Sequence, residues 1–194
     1  MPDDAPLYIP VILGTVRQGR MSEPAARAVH RQLARWPNVE TELIDIAAMP
    51  LRTDGAGQDI KDPAFAAQMT RADGLVIVAP EYNRAAPGLL KHVLDTCLKE
   101  YIHKAAGIVG VSAGPWGGTR VIENLLPVLR ELGLVCIFWD VNFAQVGRAI
   151  DEQTGELTDP RQAERIDKFI AELVWMSRTL RHGRERIALE PRPA

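Results

Sequence analysis

Leu7-Tyr8-Ile9-Pro10-Val11-Ile12-Leu13-Gly14-Thr15-Val16-Arg17-Gln18-Gly19-Arg20-Met21-Ser22 reads as a buried strand, a glycine-bearing loop and the start of a helix. The run 7–13 is apolar at nearly every position, as a strand covered on both faces requires. The same order returns twice. Gly74-Leu75-Val76-Ile77-Val78-Ala79 leads into Pro80-Glu81-Tyr82-Asn83, and the run 106–111 leads into Ser112-Ala113-Gly114-Pro115-Trp116-Gly117-Gly118. In an open α/β sheet, ligands bind outside the carboxyl ends of the strands, where strand order reverses. Three such loops on one rim describe one site.

Further strands are expected at 39–44 and 134–138. Helical patterns lie between the strands at 22–36, 64–72, 87–101 and 119–132, with a last one at 160–181. Strand and helix alternate, which implies a parallel sheet with helices on both faces. The expected fold class is α/β: a flavodoxin-like three-layer sandwich around a five-stranded parallel sheet in the order 2-1-3-4-5. One domain is expected over residues 1–182, with a tail at 183–194. Ser22 reads as a helix N-cap followed by Pro24 in the first turn. Gly133 suits the left-handed end of the fourth helix, and Asp159-Pro160 the opening of the fifth.

With 194 residues and 46% of them hydrophobic, the chain suits one sizeable core. A formal net charge of −2 argues against nucleic-acid or membrane-surface binding. The start has neither a basic segment nor an apolar run of leader type, so a soluble, cytoplasmic protein is expected. Cys97 and Cys136 lack CxxC spacing, and His30, His92, His103 and His182 lack ligand spacing, so no metal site is expected.

A strand that turns through glycine into a helix presents free N–H groups and the positive end of the helix dipole, which together favour an anion. Thr15 and Ser22 add hydroxyls; Arg17 and Arg20 add guanidiniums suited to phosphate. An ordinary strand–helix turn remains the alternative for this loop alone. It is not a nucleotide-triphosphate loop, because Arg20-Met21 stands where Lys-[Ser/Thr] is needed. The dinucleotide fingerprint GxGxxG is also absent. A phosphate monoester such as that of FMN fits best. Tyr82 offers a flat face and Asn83 a directional amide, as a ring cofactor needs, although that pair without the other loops favours a turn with a packed tyrosine. Gly114, Gly117 and Gly118 allow backbone to come close to a ligand.

At these three loops the chain resembles the NADPH-dependent FMN reductase family, which includes quinone, chromate and azo-dye reductases. The resemblance rests on Gly14-Thr15-Val16-Arg17 through Ser22, Pro80-Glu81-Tyr82-Asn83 with Pro87-Gly88-Leu89-Leu90-Lys91, and Ser112-x-Gly114-x-x-Gly117-Gly118. It spans about residues 7 to 140. It implies FMN bound noncovalently, with Thr15, Arg17 and Ser22 on the phosphate. Pro80, Glu81, Tyr82, Asn83, Ser112, Gly114, Gly117 and Gly118 would border the ring. Thr15 stands where serine is common in the family and keeps the hydroxyl.

The resemblance further implies an enzyme that passes hydride from NADPH or NADH to FMN and then to a small-molecule acceptor such as a quinone or free flavin. One exposed flavin face would serve both substrates in turn, giving ping-pong kinetics, and no general acid or base is assigned. Arg20 is the candidate for the extra phosphate of NADPH. Family members are usually dimers or tetramers. A stripe of Leu89, Leu90, Val93, Leu94, Cys97 and Leu98 either packs across a two-fold axis or belongs to the core. The rival reading is a flavodoxin-type electron carrier. Such carriers are usually strongly acidic, with a phosphate loop lacking arginine, whereas this chain is near neutral and carries Arg17 and Arg20.

Overall fold

The computed structural model describes residues 5–52, 54, 57–151 and 154–190. Among these residues eight strands are formed: β1 (Leu7–Tyr8), β2 (Val11–Leu13), β3 (Val39–Glu40), β4 (Leu43–Asp45), β5 (Gly74–Pro80), β6 (Ala105–Val111), β7 (Val135–Cys136) and β8 (Val141–Phe143). Six helices accompany them: α1 (Ser22–Leu33), α2 (Pro63–Arg71), α3 (Gly88–Asp95), α4 (Thr119–Glu131), α5 (Val146–Ala149) and α6 (Pro160–Arg186). Every strand pairing is parallel.

The sheet differs from the expected five strands in the order 2-1-3-4-5. The larger sheet has six strands, ordered β4-β2-β5-β6-β7 with β8 also on β6, and β1 pairs with β3 separately. Interruption of three expected runs accounts for the difference. Pro10 has no N–H to donate, and by register it lies opposite Glu42, between the pairs Tyr8↔Glu40 and Val11↔Leu43. One proline therefore breaks both 7–13 and 39–44 at the same level. In the third run, the N–H groups of Phe138 and Trp139 leave the ladder for the Glu172 carboxylate on α6, each at 3.0 Å. The chain rejoins β6 only at β8, beyond the expected 134–138.

Side chains alternate between two cores, as the two-residue strand period dictates. Val11, Leu13, Val76 and Val78 face α1 and α6. Ile12, Leu75, Ile77 and Ala79 face α2, α3 and α4. Helix α6 lies so close to β6 that a Cβ on Gly107 would stand 2.4 Å from Phe169. Most of the stripe offered for self-association faces inward: Leu90, Val93, Leu94 and Cys97 are buried in the second core, Leu89 is partly buried and Leu98 is exposed.

Helix ends also have local causes. Helix α1 stops at Leu33 rather than 36, because Trp36 precedes Pro37 and residues before proline are pushed out of the helical region. Helix α6 runs past 181 to Arg186, where Arg181 and Arg184 reach Asp73 at 3.1 and 2.9 Å. Asp159 caps α6 and Gly133 is left-handed, as expected. Helix α3 ends at Asp95 instead of 101. Beyond it the Glu100 carboxylate accepts from Leu98 N at 3.0 Å and Lys61 Nζ at 2.6 Å, fixing a turn. No helix among the described residues is long and apolar enough to cross a membrane.

Burial alone would raise the Glu100 pKa. The Lys61 bond, the backbone donors of Glu100 and Leu98 and the Lys61 charge outweigh burial and hold it at about 2. A carboxyl lowered in this way contributes stability that is present above its ordinary pKa and lost as pH falls toward 2. Glu100→Gln should therefore flatten the loss of stability between about pH 4.5 and 2 in denaturant titrations. An unchanged pH profile would remove Glu100 from that role.

Candidate functional site

The register brings the three loops together. Leu13 lies beside Val78 and Pro80 beside Val111, so β2, β5 and β6 end on one rim. Gly14 N donates to Val78 O at 2.9 Å and Glu81 N to Val111 O at 2.9 Å, tying the loop starts to that edge. A cleft of ≈ 300 Å³ opens there, lined by Arg17, Arg20, Ser22, Pro80, Glu81, Tyr82 and Ser112.

The first loop wraps the start of α1. Met21, not Ser22, occupies the cap position, and Ser22 is the first helical residue. Ser22 is 2% exposed, and its Oγ has no hydrogen-bond partner among the described residues. A buried hydroxyl left unpaired costs about 1–3 kcal/mol. This one lines the cleft at the start of α1, where Glu23 N already donates to Arg20 O at 3.3 Å and Pro24 has no N–H to offer. Arg17 also lines the cleft, its guanidinium carbon 5.9 Å from the Tyr82 ring centre, and no carboxylate among the described residues pairs with it.

Thr15 stands behind the wall. It is 1% exposed, and its Oγ1 lies 3.0 Å from Tyr82 Oη and 3.4 Å from the donating Arg17 N–H. Arg20 is committed to the protein: it donates to Thr15 O, reaches Glu23, and grips both oxygens of Asp45, with Nη1 to Oδ1 at 2.9 Å. Burial works against its charge, but the Asp45 bond and the charges of Asp45 and Glu23 win, raising its pKa. Only 11% of its side chain is exposed.

The second loop is a tight hairpin. Tyr82 and Ala85 exchange backbone bonds at 3.0 Å, with Asn83 and Arg84 both left-handed at φ 50° and 70°. Asn83 is exposed at the turn and does not line the cleft. Glu81 binds Arg120 at 3.1 Å, and the Arg120 guanidinium carbon lies 5.7 Å from the Trp116 ring centre. This chain of contacts joins the second loop to the third.

The third loop divides its residues. Ser112 and Ala113 face the cleft, whereas Gly114, Gly117 and Gly118 do not line it. Gly117 and Gly118 are left-handed, at φ 60° and 75°. A Cβ on Gly118 would lie 2.5 Å from Val111 N, so the glycine lets the loop fold back on β6. Asn142 Nδ2 donates to Gly117 O at 3.1 Å and pins it. The sequence reading missed Gln18, Gly19, Met21, Val111, Ala113 and Val146, which complete the lining. Val146 had a signal in the alternating Val141-Asn142-Phe143, the strand piece that feeds it.

The profile of the NADPH-dependent FMN reductase family matches residues 7–146. The chain belongs to this family. As a member it is an oxidoreductase that uses FMN, with NAD(P)H as co-substrate. It is 32% identical to a quinone reductase of Escherichia coli over 162 residues, covering 79% of this chain and 86% of the relative. A 2-hydroxy-1,4-benzoquinone reductase of a Burkholderia species is 32% identical over 136 residues, covering 66% and 73%. Among solved structures, a Paracoccus denitrificans flavoenzyme NAD(P)H:(acceptor) oxidoreductase superposes with a TM-score of 0.71 at 22% identity, covering 88% of this chain and 98% of that one.

The residues of this FMN reductase fit the cofactor. An unpaired buried hydroxyl, an uncommitted arginine and a helix N-terminus converge on the cleft, and Tyr82 supplies a ring beside it. Among the described residues, no three His, Cys, Asp or Glu side chains gather as metal ligands would.

Gly118→Ala should destabilise the protein by about 2 kcal/mol or more, since a side chain at left-handed φ costs about 1–2 kcal/mol before the clash with Val111. Thermal unfolding checks this, and a wild-type Tm would contradict the packing account.

Proposed function

We propose that this FMN reductase takes hydride from NADPH in preference to NADH and delivers it to a quinone or free flavin in a ping-pong cycle. The observation that carries the reading is the buried, unpartnered Ser22 Oγ beside Arg17 in the rim cleft. FMN, when bound, supplies the two-electron chemistry.

The chain's own residues bind, orient and exclude water. Ser22 and Arg17 hold the phosphate at the N-terminal, positive end of α1. Thr15 fixes Tyr82 and the Arg17 backbone, acting behind the contact surface. Tyr82, Pro80, Glu81, Ser112 and Ala113 border the ring. Asn83, Gly114, Gly117 and Gly118 shape the loops, with Asn83 left exposed beside the entrance. Arg20 positions the phosphate loop through Thr15 O and Asp45 rather than meeting substrate directly. One cleft at one rim supports alternation of donor and acceptor.

A flavodoxin-type carrier shares the fold; an archaeal flavodoxin superposes with a TM-score of 0.58 at 8% identity. The near-neutral charge and Arg17 favour the enzyme. Arg17→Ala should weaken FMN binding by about 1.5–3 kcal/mol, the range for hydrogen bonds to charged groups. Initial rates with NADPH and a quinone should give parallel double-reciprocal lines. Intersecting lines would overturn alternation, and a failure of NADPH to reduce bound flavin would favour the carrier.

Self-association, as a homodimer or homotetramer, belongs to the same reading. Phe138, Trp139 and Trp175 are exposed, and Trp175 lies on the α6 face midway between Glu172 and Arg178. An antiparallel two-fold through Trp175 sets each Glu172 against Arg178 of the second copy. Trp175→Glu should lower the mass seen by light scattering to that of one chain. A monomeric wild type would contradict the pairing.

A further inference from the structure

A second groove, of ≈ 600 Å³, lies on the other side of the phosphate loop. The loop from Arg17 to Met21 lines both this groove and the rim cleft. The outer wall is the exposed face of α1, where Arg27 and Arg31 lie one turn apart. Ser22 and Arg31 are about 14 Å apart along the helix axis at 1.5 Å per residue.

The charges here are unevenly spent. Arg20 is held by Asp45 and Glu23. Arg27 shares Glu23, at 2.7 Å, and its side chain is 58% exposed. Arg31 is exposed; it donates to Gly155 O at 2.5 Å, and no carboxylate among the described residues pairs with it. Four guanidiniums against Glu23 and Asp45 leave the groove cationic, and Met21 and Pro24 give it an apolar floor. Forked guanidiniums suit phosphate, and a flat base suits the floor.

We infer that this groove takes the 2′-phosphorylated adenosine end of NADPH, with Arg27 and Arg31 on the 2′-phosphate. The inference rests on the proposed function. With the nicotinamide in the rim cleft, the rest of the dinucleotide crosses the Arg17–Met21 loop and lies along α1. Preference for NADPH over NADH then comes from Arg27 and Arg31, while Arg20 keeps its place inside the loop.

Calorimetric titration of the purified, flavin-loaded protein with adenosine 2′,5′-bisphosphate and with 5′-AMP tests the assignment. The bisphosphate should bind at least about tenfold more tightly than 5′-AMP. Arg27→Ala with Arg31→Ala should abolish that difference while the bound flavin absorbance stays unchanged. The single Arg31→Lys change should keep part of it. Equal affinity for the two ligands in the wild type, or a difference that survives in the double variant, overturns the assignment. Absence of FMN from the purified protein would instead defeat the underlying reading, because the titration reports on the groove without needing flavin chemistry.

Discussion

The two-sided burial of β5 and β6 is the constraint from which the rest follows. With helices packed on both faces, their backbone polar groups must be satisfied by neighbouring strands, all of which run parallel here. Parallel pairing in register makes the neighbouring strands end at one level. At that level Gly14, Glu81 and Ser112 leave the sheet side by side, and α1 begins at the same gap with Ser22 lining it. The cleft is thus a consequence of the sheet's edge, furnished by loop side chains.

Two kinds of arginine furnish it. Arg20 is consumed in building the loop, held by Asp45 from the adjacent strand and by the carbonyl of Thr15. Arg17, Arg27 and Arg31 remain toward solvent, with partners that a ligand phosphate can join or displace. Paired charge behind the loop and exposed charge in front leave it internally braced and still electropositive.

The sequence made the α/β class, the three loops and the family legible because each loop follows a long buried run with a glycine, proline or hydroxyl at its end. The breaks in the sheet were not legible. A run such as 7–13 looks continuous by hydropathy, and the effect of Pro10 on Glu42 depends on register that only the folded sheet sets. The departure of Phe138 and Trp139 depends on Glu172, more than thirty residues later. Arg20 and Arg17 are equivalent as letters; Asp45 decides between them. Gly117 and Gly118 carried only a general close-approach signal; the folded chain shows Gly118 tight against β6 at Val111 and Gly110, and Gly117 tight against Asn142.

The central claim is that the α1 end of the rim is built for the terminal phosphate of a flavin. Fluorescence titration of the apoprotein with FMN and with riboflavin, which lacks the phosphate, tests it most directly. The account predicts that FMN binds at least about tenfold more tightly than riboflavin. Equal affinities would contradict it.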